Sequence, residues 1–236
     1  MIVAGERVAD VGTAGDAVEE RETADAFWPL FGLLVRTPRL EIRLPREEEF
    51  GALLAVIDAG IHDPAIMPFT SPFTDRPLPE RRRESAQWWW RQRAEWSAEK
   101  WNLTGAVFVE GQVVGVQDMN AEHFGTLRSV HTGSWLGRAH QGQGLGKEMR
   151  QAILHLAFEG LGAREAHSGA FFDNAASLAT SRSVGYEPNG ETLAPRRDGV
   201  DRLLNVRIDR ATWEGRRRDD IEIIGLEGCL DMFVAT

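Results

Sequence analysis

The fold of this chain is decided by the stretch Trp135-Leu136-Gly137-Arg138-Ala139-His140-Gln141-Gly142-Gln143-Gly144-Leu145-Gly146-Lys147, which joins a predicted strand to a predicted helix. Glycines at 142, 144 and 146 have no Cβ, so the backbone amides around them are free to turn toward one point. The helix that starts here adds its unpaired N-terminal amides and the positive end of its dipole. This combination is typical of a phosphate-binding loop, although the same glycines also suit a tight strand-to-helix turn.

The spacing within this stretch excludes two common phosphate-binding loops. A P-loop, G-x-x-x-x-G-K-[ST], needs a glycine where Gln141 stands and a hydroxyl where Glu148 stands. A dinucleotide fingerprint that starts at Gly142 needs a glycine at Lys147, and it needs a parallel βαβ unit, whereas the strands before this loop are expected to be antiparallel. If the stretch binds a phosphate group, it therefore does so as another type of loop.

The remaining pattern predicts a mixed α/β chain. Runs rich in alternating apolar residues predict seven strands, at 40–44, 103–110, 113–119, 128–136, 165–171, 186–193 and 202–208. Helical spacing predicts helices at 47–59, 80–100, 145–160 and 174–184. Five prolines between residues 62 and 79 predict a long loop, and residues 120–126 read as a looser connection. Short connections between the strands in 103–136 make them antiparallel.

The length of 236 residues fits one domain with extensions. Residues 1–24 show no sustained period and are acidic, so we expect a flexible N-terminal tail. The domain is expected to span residues 25–212. Residues 213–236 form a C-terminal extension with an apolar cluster at 221–226, which is a candidate surface for a homo-oligomer.

The composition narrows the class of protein. A net charge of −9 opposes general nucleic-acid binding. A single cysteine, Cys229, excludes an internal disulfide framework and suggests a cytoplasmic protein. The apolar run from Phe27 to Val35 is too short to span a bilayer, so no membrane segment is expected. The histidines form no ligand pair with neighbouring Asp or Glu, so no metal site is expected either.

Three motifs in order resemble the GNAT superfamily of acyl-CoA-dependent N-acyltransferases, and within it the ribosomal-protein (RimJ/RimL-like) branch. Gln141, Gly144 and Gly146 match the pyrophosphate loop Q/R-x-x-G-x-G/A. The segment 37–43 is similar to the opening strand T-x-R-L-x-L-R, and Asn174, Ser177, Gly185 and Tyr186 resemble N-x-x-S followed by G-[FY]. Together the motifs cover about residues 36–210.

The resemblance implies the GNAT fold, a mixed, mostly antiparallel, twisted sheet of about seven strands flanked by helices. The sheet is expected to splay between the strands ending at Leu136 and near Phe171, with acetyl-CoA or another acyl-CoA in the splay and no metal. The residues implied for the co-substrate are Leu136 for the pantetheine and acyl carbonyl, Asn174 for the pantetheine, and the loop residues Gln141, Gly142, Gln143, Gly144, Leu145, Gly146 and Lys147 for the pyrophosphate.

The implied activity is N-acetyl transfer to a primary amine of a small molecule or a protein N-terminus, by direct transfer in a ternary complex. Ser177 is the candidate proton donor to the thiolate, or alternatively only a helix-cap residue. Asp118, on an otherwise apolar strand, is the candidate base, or alternatively a solvated carboxylate. Ser134, on the central strand, is a third candidate catalytic residue. His131 on the same strand is a weaker candidate base that also suits simple packing.

The wall of the acceptor pocket is expected from the Pro and aromatic loop 64–73 and from the helix carrying Trp88 to Trp96. Two other functions remain open at this point. Arg196 and Arg197 are suited to a carboxylated donor such as succinyl-CoA, because guanidinium groups pair with carboxylates. The second open function is that of a non-catalytic acyl-CoA-binding protein.

Overall fold

A nine-stranded sheet organises the chain, for which a computed structural model describes residues 24–234. The strands are β1 (Leu34–Arg36), β2 (Glu41–Arg43), β3 (Lys100–Val109), β4 (Gln112–Glu122), β5 (Ser129–Leu136), β6 (Glu165–Phe171), β7 (Glu187–Arg196), β8 (Gly199–Asp209) and β9 (Glu222–Ile224). The α-helices are α1 (Ala24–Phe27), α2 (Phe50–Ala59), α3 (Leu78–Ala94), α4 (Phe124–Leu127), α5 (Leu145–His155), α6 (Ala175–Val184) and α7 (Arg210–Glu214). A π-helical turn, Leu156–Gly160, continues α5.

The strand order is β7-β8-β6-β5-β4-β3-β2-β1-β9, and every described pairing is antiparallel except β5 with β6. The expected mixed, mostly antiparallel sheet is confirmed. It has two strands more than the seven predicted, β1 and β9, which lie together at one edge. Each has only three residues, which is too short for an alternating pattern to be recognised in the sequence.

The sheet separates two apolar cores, because side chains alternate between its faces. On one face, α2 and α3 contribute Phe50, Leu53 and Trp89 to a small core that includes Val116 of β4. On the other face, α5 packs in the larger core, to which β4 contributes Met119. Neighbouring residues of β4 and β5 therefore point to opposite sides, and this decides which candidate site residues meet.

Two predicted boundaries are corrected. The helix predicted at 80–100 ends at Ala94, and Lys100 already begins β3. Trp96 has left the helix and stacks on Trp101, with ring centroids 5.9 Å apart. The looser connection predicted at 120–126 is the end of β4 followed by α4, which is flanked by His123 and Arg128 in left-handed conformations.

The C-terminal segment packs on the body of the domain. Trp213, Ile221, Cys229 and Phe233 are buried in the larger core, and β9 adds a strand beside β1. These four residues are thus used within the chain, while Ile224 and Leu230 of the same segment are exposed. The tail predicted at 1–24 lies outside the described residues except for Ala24. Within residues 24–234, no helix has the length and apolar character needed to cross a membrane.

Candidate active site

A gap opens in the sheet between β5 and β6. The two strands pair only from Ser129–Glu165 to His131–His167. Beyond that pair the backbone hydrogen bonds between the two strands stop. The Ser168 hydroxyl instead donates to the Thr132 carbonyl at 2.8 Å. β5 then continues to Leu136 and β6 to Phe171 without pairing to each other. This is the splay that the family resemblance implied.

The glycine loop lies at the open end of this gap, between β5 and α5. Gly142 and Gly144 have φ of +73° and +79°, a region that side chains with a Cβ rarely adopt. Gly144 is the N-cap of α5, so the amides that follow it begin the helix without helical partners. The Gln141 side chain donates to the Leu136 and Ile61 carbonyls, at 2.8 and 2.9 Å, and ties the loop to the end of β5.

The remaining loop residues are exposed or contribute to packing. Gln143 donates from Nε2 to the Ala139 carbonyl at 2.9 Å. Leu145 is buried, and a Cβ added at Gly146 would lie 3.8 Å from Leu136. Lys147 is exposed and makes no side-chain hydrogen bond or ion pair within the described part of the chain.

An ion pair between the half-exposed Arg39 and the buried Glu148 supports the loop, and the sequence alone did not reveal it. Glu148, in the first turn of α5, accepts from the Thr37 hydroxyl and from Arg39 Nε, each at 2.6 Å. Arg39 also donates to the Gln143 carbonyl at 3.0 Å. Burial opposes the charge of Glu148, but the bonds from Thr37 and Arg39 outweigh it and lower the pKa of the carboxyl. The segment 37–43 thus holds the first turn of α5 in place through Thr37 and Arg39.

Helix α6 begins beside the gap with Asn174 as its N-cap. Asn174 Oδ1 accepts from the backbone N–H of Ser177 at 3.1 Å. The backbone of Ser177, and not its hydroxyl, is therefore the cap partner. The half-buried Ser177 hydroxyl makes no hydrogen bond among residues 24–234, so it is available to a ligand.

Asp118 lies on the face of the sheet covered by α2 and α3. It sits opposite Thr104 of β3 and Gly133 of β5, and its Oδ1 is buried with no hydrogen-bond partner in the described residues. Burial raises the pKa of Asp118 to about 7, against a smaller lowering by the Thr104 hydroxyl. Gly133 has no side chain, which leaves room beside the carboxyl. The sequence alternative of a solvated carboxylate does not fit this environment.

Ser134 lies on the opposite face from Asp118. Its register partner is Gln117, while the partner of Asp118 is Gly133, so strand alternation separates the two side chains. The Ser134 hydroxyl accepts from Arg150 of α5 at 3.1 Å. The structure therefore does not bring the candidate residues Ser134 and Asp118 together.

His131 stands farther along β5. Its ring stacks on His167 with the centroids 5.2 Å apart, and burial together with the charge of His167 lowers its pKa. No group of three or more His, Cys, Asp or Glu side chains suited to a metal ion occurs in the described part of the chain.

The Pro-rich loop is fastened to the β7–β8 hairpin by the two arginines considered above for a carboxylated donor. Arg197 pairs with Asp75 at 2.7 Å and donates to the Pro64 carbonyl at 2.5 Å. Arg196 donates to the Met67 carbonyl at 2.8 Å and to two carboxylates, each at 3.0 Å, from Asp173 and Asp201. Both guanidinium groups are already engaged, so the observation that favoured a carboxylated donor no longer supports one.

The tryptophans of the helix predicted at 80–100 have different environments. Trp89 is buried against Phe50, with ring centroids 4.7 Å apart. Trp90 is 47% exposed and donates from its ring nitrogen to Glu47. Trp96 packs on Trp101 and belongs to the larger core region. Only the first of these lies in the small core beneath the α2 and α3 face.

Comparison with protein families gives a match over residues 39–187 to the model described as an acetyltransferase (GNAT) domain. That range holds the glycine loop, both walls of the gap and Asn174.

Solved structures share the fold at low sequence identity. RimJ from Mycobacterium smegmatis in complex with CoA-disulfide has a TM-score of 0.65 and 17% identity, covering 85% of this chain and 94% of that one. RimL, a ribosomal L7/L12 alpha-N-protein acetyltransferase in complex with coenzyme A, has a TM-score of 0.60 and 19% identity, covering 75% and 97%. An acetyltransferase from Salmonella typhimurium that modifies the N-terminal serine of L7/L12 has a TM-score of 0.58 and 19% identity, covering 73% and 96%.

Proposed function

The chain belongs to the GNAT acetyltransferase family, and from that premise we propose that it moves an acetyl group from acetyl-CoA directly to a primary amine in a ternary complex. The acceptor class is a small-molecule amine or a protein N-terminus. The motifs shared with the RimJ/RimL-like branch, and the fold shared with RimJ and RimL, support this choice.

The observation that carries the proposal is the unpaired edge inside the sheet. Past His131 and His167, the backbones of β5 and β6 form no ladder with each other. Backbone amides and carbonyls within a sheet are normally paired, so an interior edge of this kind needs a partner. A pantetheine arm, with its two amides, is such a partner. The glycine loop and the start of α5 lie at the end of the same gap and suit its pyrophosphate.

The chain's own groups are suited to each part of the transfer. The amine needs a proton acceptor, and we assign this role to Asp118, whose raised pKa of about 7 suits a base near neutral pH. Backbone groups near Leu136 would hold the acyl carbonyl as negative charge develops on its oxygen. The Ser177 hydroxyl would supply a proton to the sulfur as the carbon–sulfur bond breaks. The amine nitrogen bonds to the acyl carbon and loses one proton, the carbon–sulfur bond breaks and the thiolate gains one proton, so the reaction balances.

The test is CoA thiol release by the purified chain, with acetyl-CoA and a panel of small amines and short peptides. We expect turnover that depends on both the chain and a primary amine, with mass spectrometry showing one acetyl group on the product. CoA binding without thiol release from any acceptor would instead favour a non-catalytic acyl-CoA-binding protein. Absence of CoA binding would refute the proposal as a whole.

Two glycine variants connect the test to the loop. Gly142 and Gly162 have φ of +73° and +70°, and a Cβ at either would meet nothing within 4 Å. Glutamate is therefore equally strained and equally free of clashes at both. Gly142→Glu is expected to weaken CoA binding by about 100-fold or more, because a carboxylate enters the pyrophosphate site. Gly162→Glu, at the far end of the helix, is the control. Calorimetric titration giving equal affinities for the two variants would remove the loop from the binding site.

A further inference from the structure

Arg150 spans the gap on the side covered by α5 and α6. Its side chain donates to the Ser181 hydroxyl of α6 at 2.5 Å and to the Ser134 hydroxyl of β5 at 3.1 Å. The residue is 3% exposed. Because Ser134 lies past the last β5–β6 pair, Arg150 connects the wall of the open gap to the helix beside it.

The charge of Arg150 has no counter-ion among residues 24–234. Other arginines with little exposure pair with carboxylates, as Arg81 does with Asp58 and Arg43 with Glu49. Arg150 has only two serine hydroxyls, and its Nε is buried without a partner in the same residues. A buried guanidinium without an anion is unfavourable, and this points to an anion that forms nearby during function.

The positive charge of Arg150 also acts on the Tyr186 hydroxyl, an ionisable group at the paired end of the gap. The Tyr186 hydroxyl hydrogen-bonds to Thr132 at 2.8 Å, next to the last β5–β6 pair. Burial raises the pKa of Tyr186, and the charge of Arg150 works in the opposite direction.

We propose that Arg150 is a positioning residue that stabilises the negative charge on the CoA sulfur when the acyl group leaves. The inference rests on the proposed function. In that reaction the amine nitrogen bonds to the acyl carbon, the carbon–sulfur bond breaks, and its electron pair goes to sulfur. The sulfur then takes a proton from Ser177 or solvent, while Asp118 takes the amine proton.

Arg150 would act on the sulfur in two ways, through the positive charge of its guanidinium group and through its hydrogen bond to α6. The Ser181 hydroxyl, which accepts from Arg150, donates to the Ser177 carbonyl at 3.1 Å, one helical turn away. Arg150 therefore also holds the turn of α6 that carries the Ser177 hydroxyl. No acyl or acceptor atom needs to touch the guanidinium for either effect.

The test compares Arg150→Met and Arg150→Lys with the wild type. The thiolate absorbance of bound CoA, followed against pH, gives the pKa of the bound thiol directly. We expect Arg150→Met to raise that pKa by about one unit and to lower kcat about 10-fold, with KM for acetyl-CoA within about two-fold. Arg150→Lys should restore most of the loss because it keeps the charge. Arg164→Met, at an exposed arginine, is the control and should change neither quantity.

A folded Arg150→Met that binds CoA with an unchanged thiol pKa would overturn the inference. A loss confined to succinyl-CoA, with acetyl-CoA turnover intact, would also overturn it by assigning Arg150 to an acyl carboxylate. If Arg150→Met does not fold, Ser181→Ala removes the hydrogen bond between Arg150 and α6 instead. We expect it to raise the pKa of the bound thiol by a smaller amount. An unchanged pKa in that variant would count against the inference. Lack of CoA binding or turnover by the wild type would refute the proposed function instead.

Discussion

At the scale of single residues, Asp118 carries the most specific expectation. Its pKa of about 7 means that about half of the chains have the carboxylate near neutral pH. Replacing it with asparagine keeps the shape and removes the proton acceptor. We expect Asp118→Asn to lower kcat/KM by about 100-fold or more, with a deficit that shrinks at high pH, where free amine is abundant. CoA affinity should be unchanged.

The same substitution should stabilise the fold. A raised pKa means that the folded state binds the proton more tightly than the unfolded state, so wild-type stability falls as the pH rises from about 4 to about 7. Asparagine does not titrate, so Asp118→Asn should gain about 1–3 kcal/mol over the wild type above pH 7 and little near pH 4. Denaturant unfolding at both pH values measures this. Glu122→Gln, at the exposed end of the same strand, is the control for stability.

For the kinetic role, activity of Asp118→Asn within two-fold of the wild type from about pH 6 to about pH 9 would exclude Asp118 as the base.

Ser177 can now be tested without disturbing its helix. Because the cap to Asn174 uses the Ser177 backbone N–H, alanine at this position keeps the cap. We expect Ser177→Ala to lower kcat about 10-fold or more, while Tm and the affinity for CoA stay near the wild-type values. Asn174→Ala, which removes the cap, should instead reduce stability by about 1 kcal/mol. A wild-type kcat in Ser177→Ala would show that the hydroxyl has no part in the reaction.

At the scale of secondary-structure elements, the start of α5 depends on a distant part of the chain. Glu148 is buried, and its partners Thr37 and Arg39 belong to the segment leading into β2. Glu148→Gln keeps the shape but removes the charge that pairs with Arg39. We expect KM for acetyl-CoA to rise about 10-fold with a small effect on kcat, because the loop loses its support and the chemical groups stay in place.

Steady-state kinetics with saturating amine measures this change. Glu159→Gln, which breaks an exposed ion pair with Arg217 at the other end of the same helical segment, should leave KM unaltered. An unchanged KM in Glu148→Gln as well would show that the Thr37, Arg39 and Glu148 contacts do not shape the CoA site.

Local sequence rules account for much of the fold and of the loop. The glycine loop, the strand from Glu165 to Phe171 and the end of α6 at Gly185 were all predictable, because turn chemistry and periodicity act over a few residues. The contact between Arg39 and Glu148 could not be predicted in this way, because 109 positions separate the two residues in the sequence. Arg150 resembled an ordinary helix residue until its partners Ser134 and Ser181 were known.

Strand faces were also hard to assign from sequence. Asp118 and Ser134 were both predicted as catalytic residues, but the register that separates them depends on how β4 and β5 align. A shift of one residue in that register would have paired Ser134 with Asp118 and placed both side chains on the same face.

At the scale of the whole molecule, the two faces of the sheet divide the work that we propose. The α5 and α6 face holds the glycine loop and the residues assigned to acyl-CoA, and the α2 and α3 face holds Asp118 beneath the candidate acceptor wall. Arg197, in the β7–β8 hairpin, holds the Pro-rich loop by bonding to Asp75, which is 122 positions away in the sequence. On our proposal, donor and acceptor would approach the reacting atoms from opposite faces of the sheet, which suits direct transfer.

The C-terminal segment completes the larger core, and this gives a test of the whole architecture. Phe233 is fully buried against Trp96 and Trp101, and its carbonyl accepts from the Trp101 ring nitrogen at 3.1 Å. Removing so large a side chain leaves a cavity that the rigid aromatic neighbours cannot fill. We therefore expect Phe233→Ala to lower the free energy of unfolding by about 3–5 kcal/mol.

Chemical denaturation at neutral pH, followed by tryptophan fluorescence, measures this loss. Below the unfolding transition KM for acetyl-CoA should stay at the wild-type value, because Phe233 packs on Trp101 of β3, and β4 separates that strand from β5 and the gap. Leu230→Ala is the matched control. Its side chain is 44% exposed, so its removal should cost no more than about 0.5 kcal/mol. Equal stabilities for the two variants would mean that residues 213–234 are an appendage rather than part of the folded core.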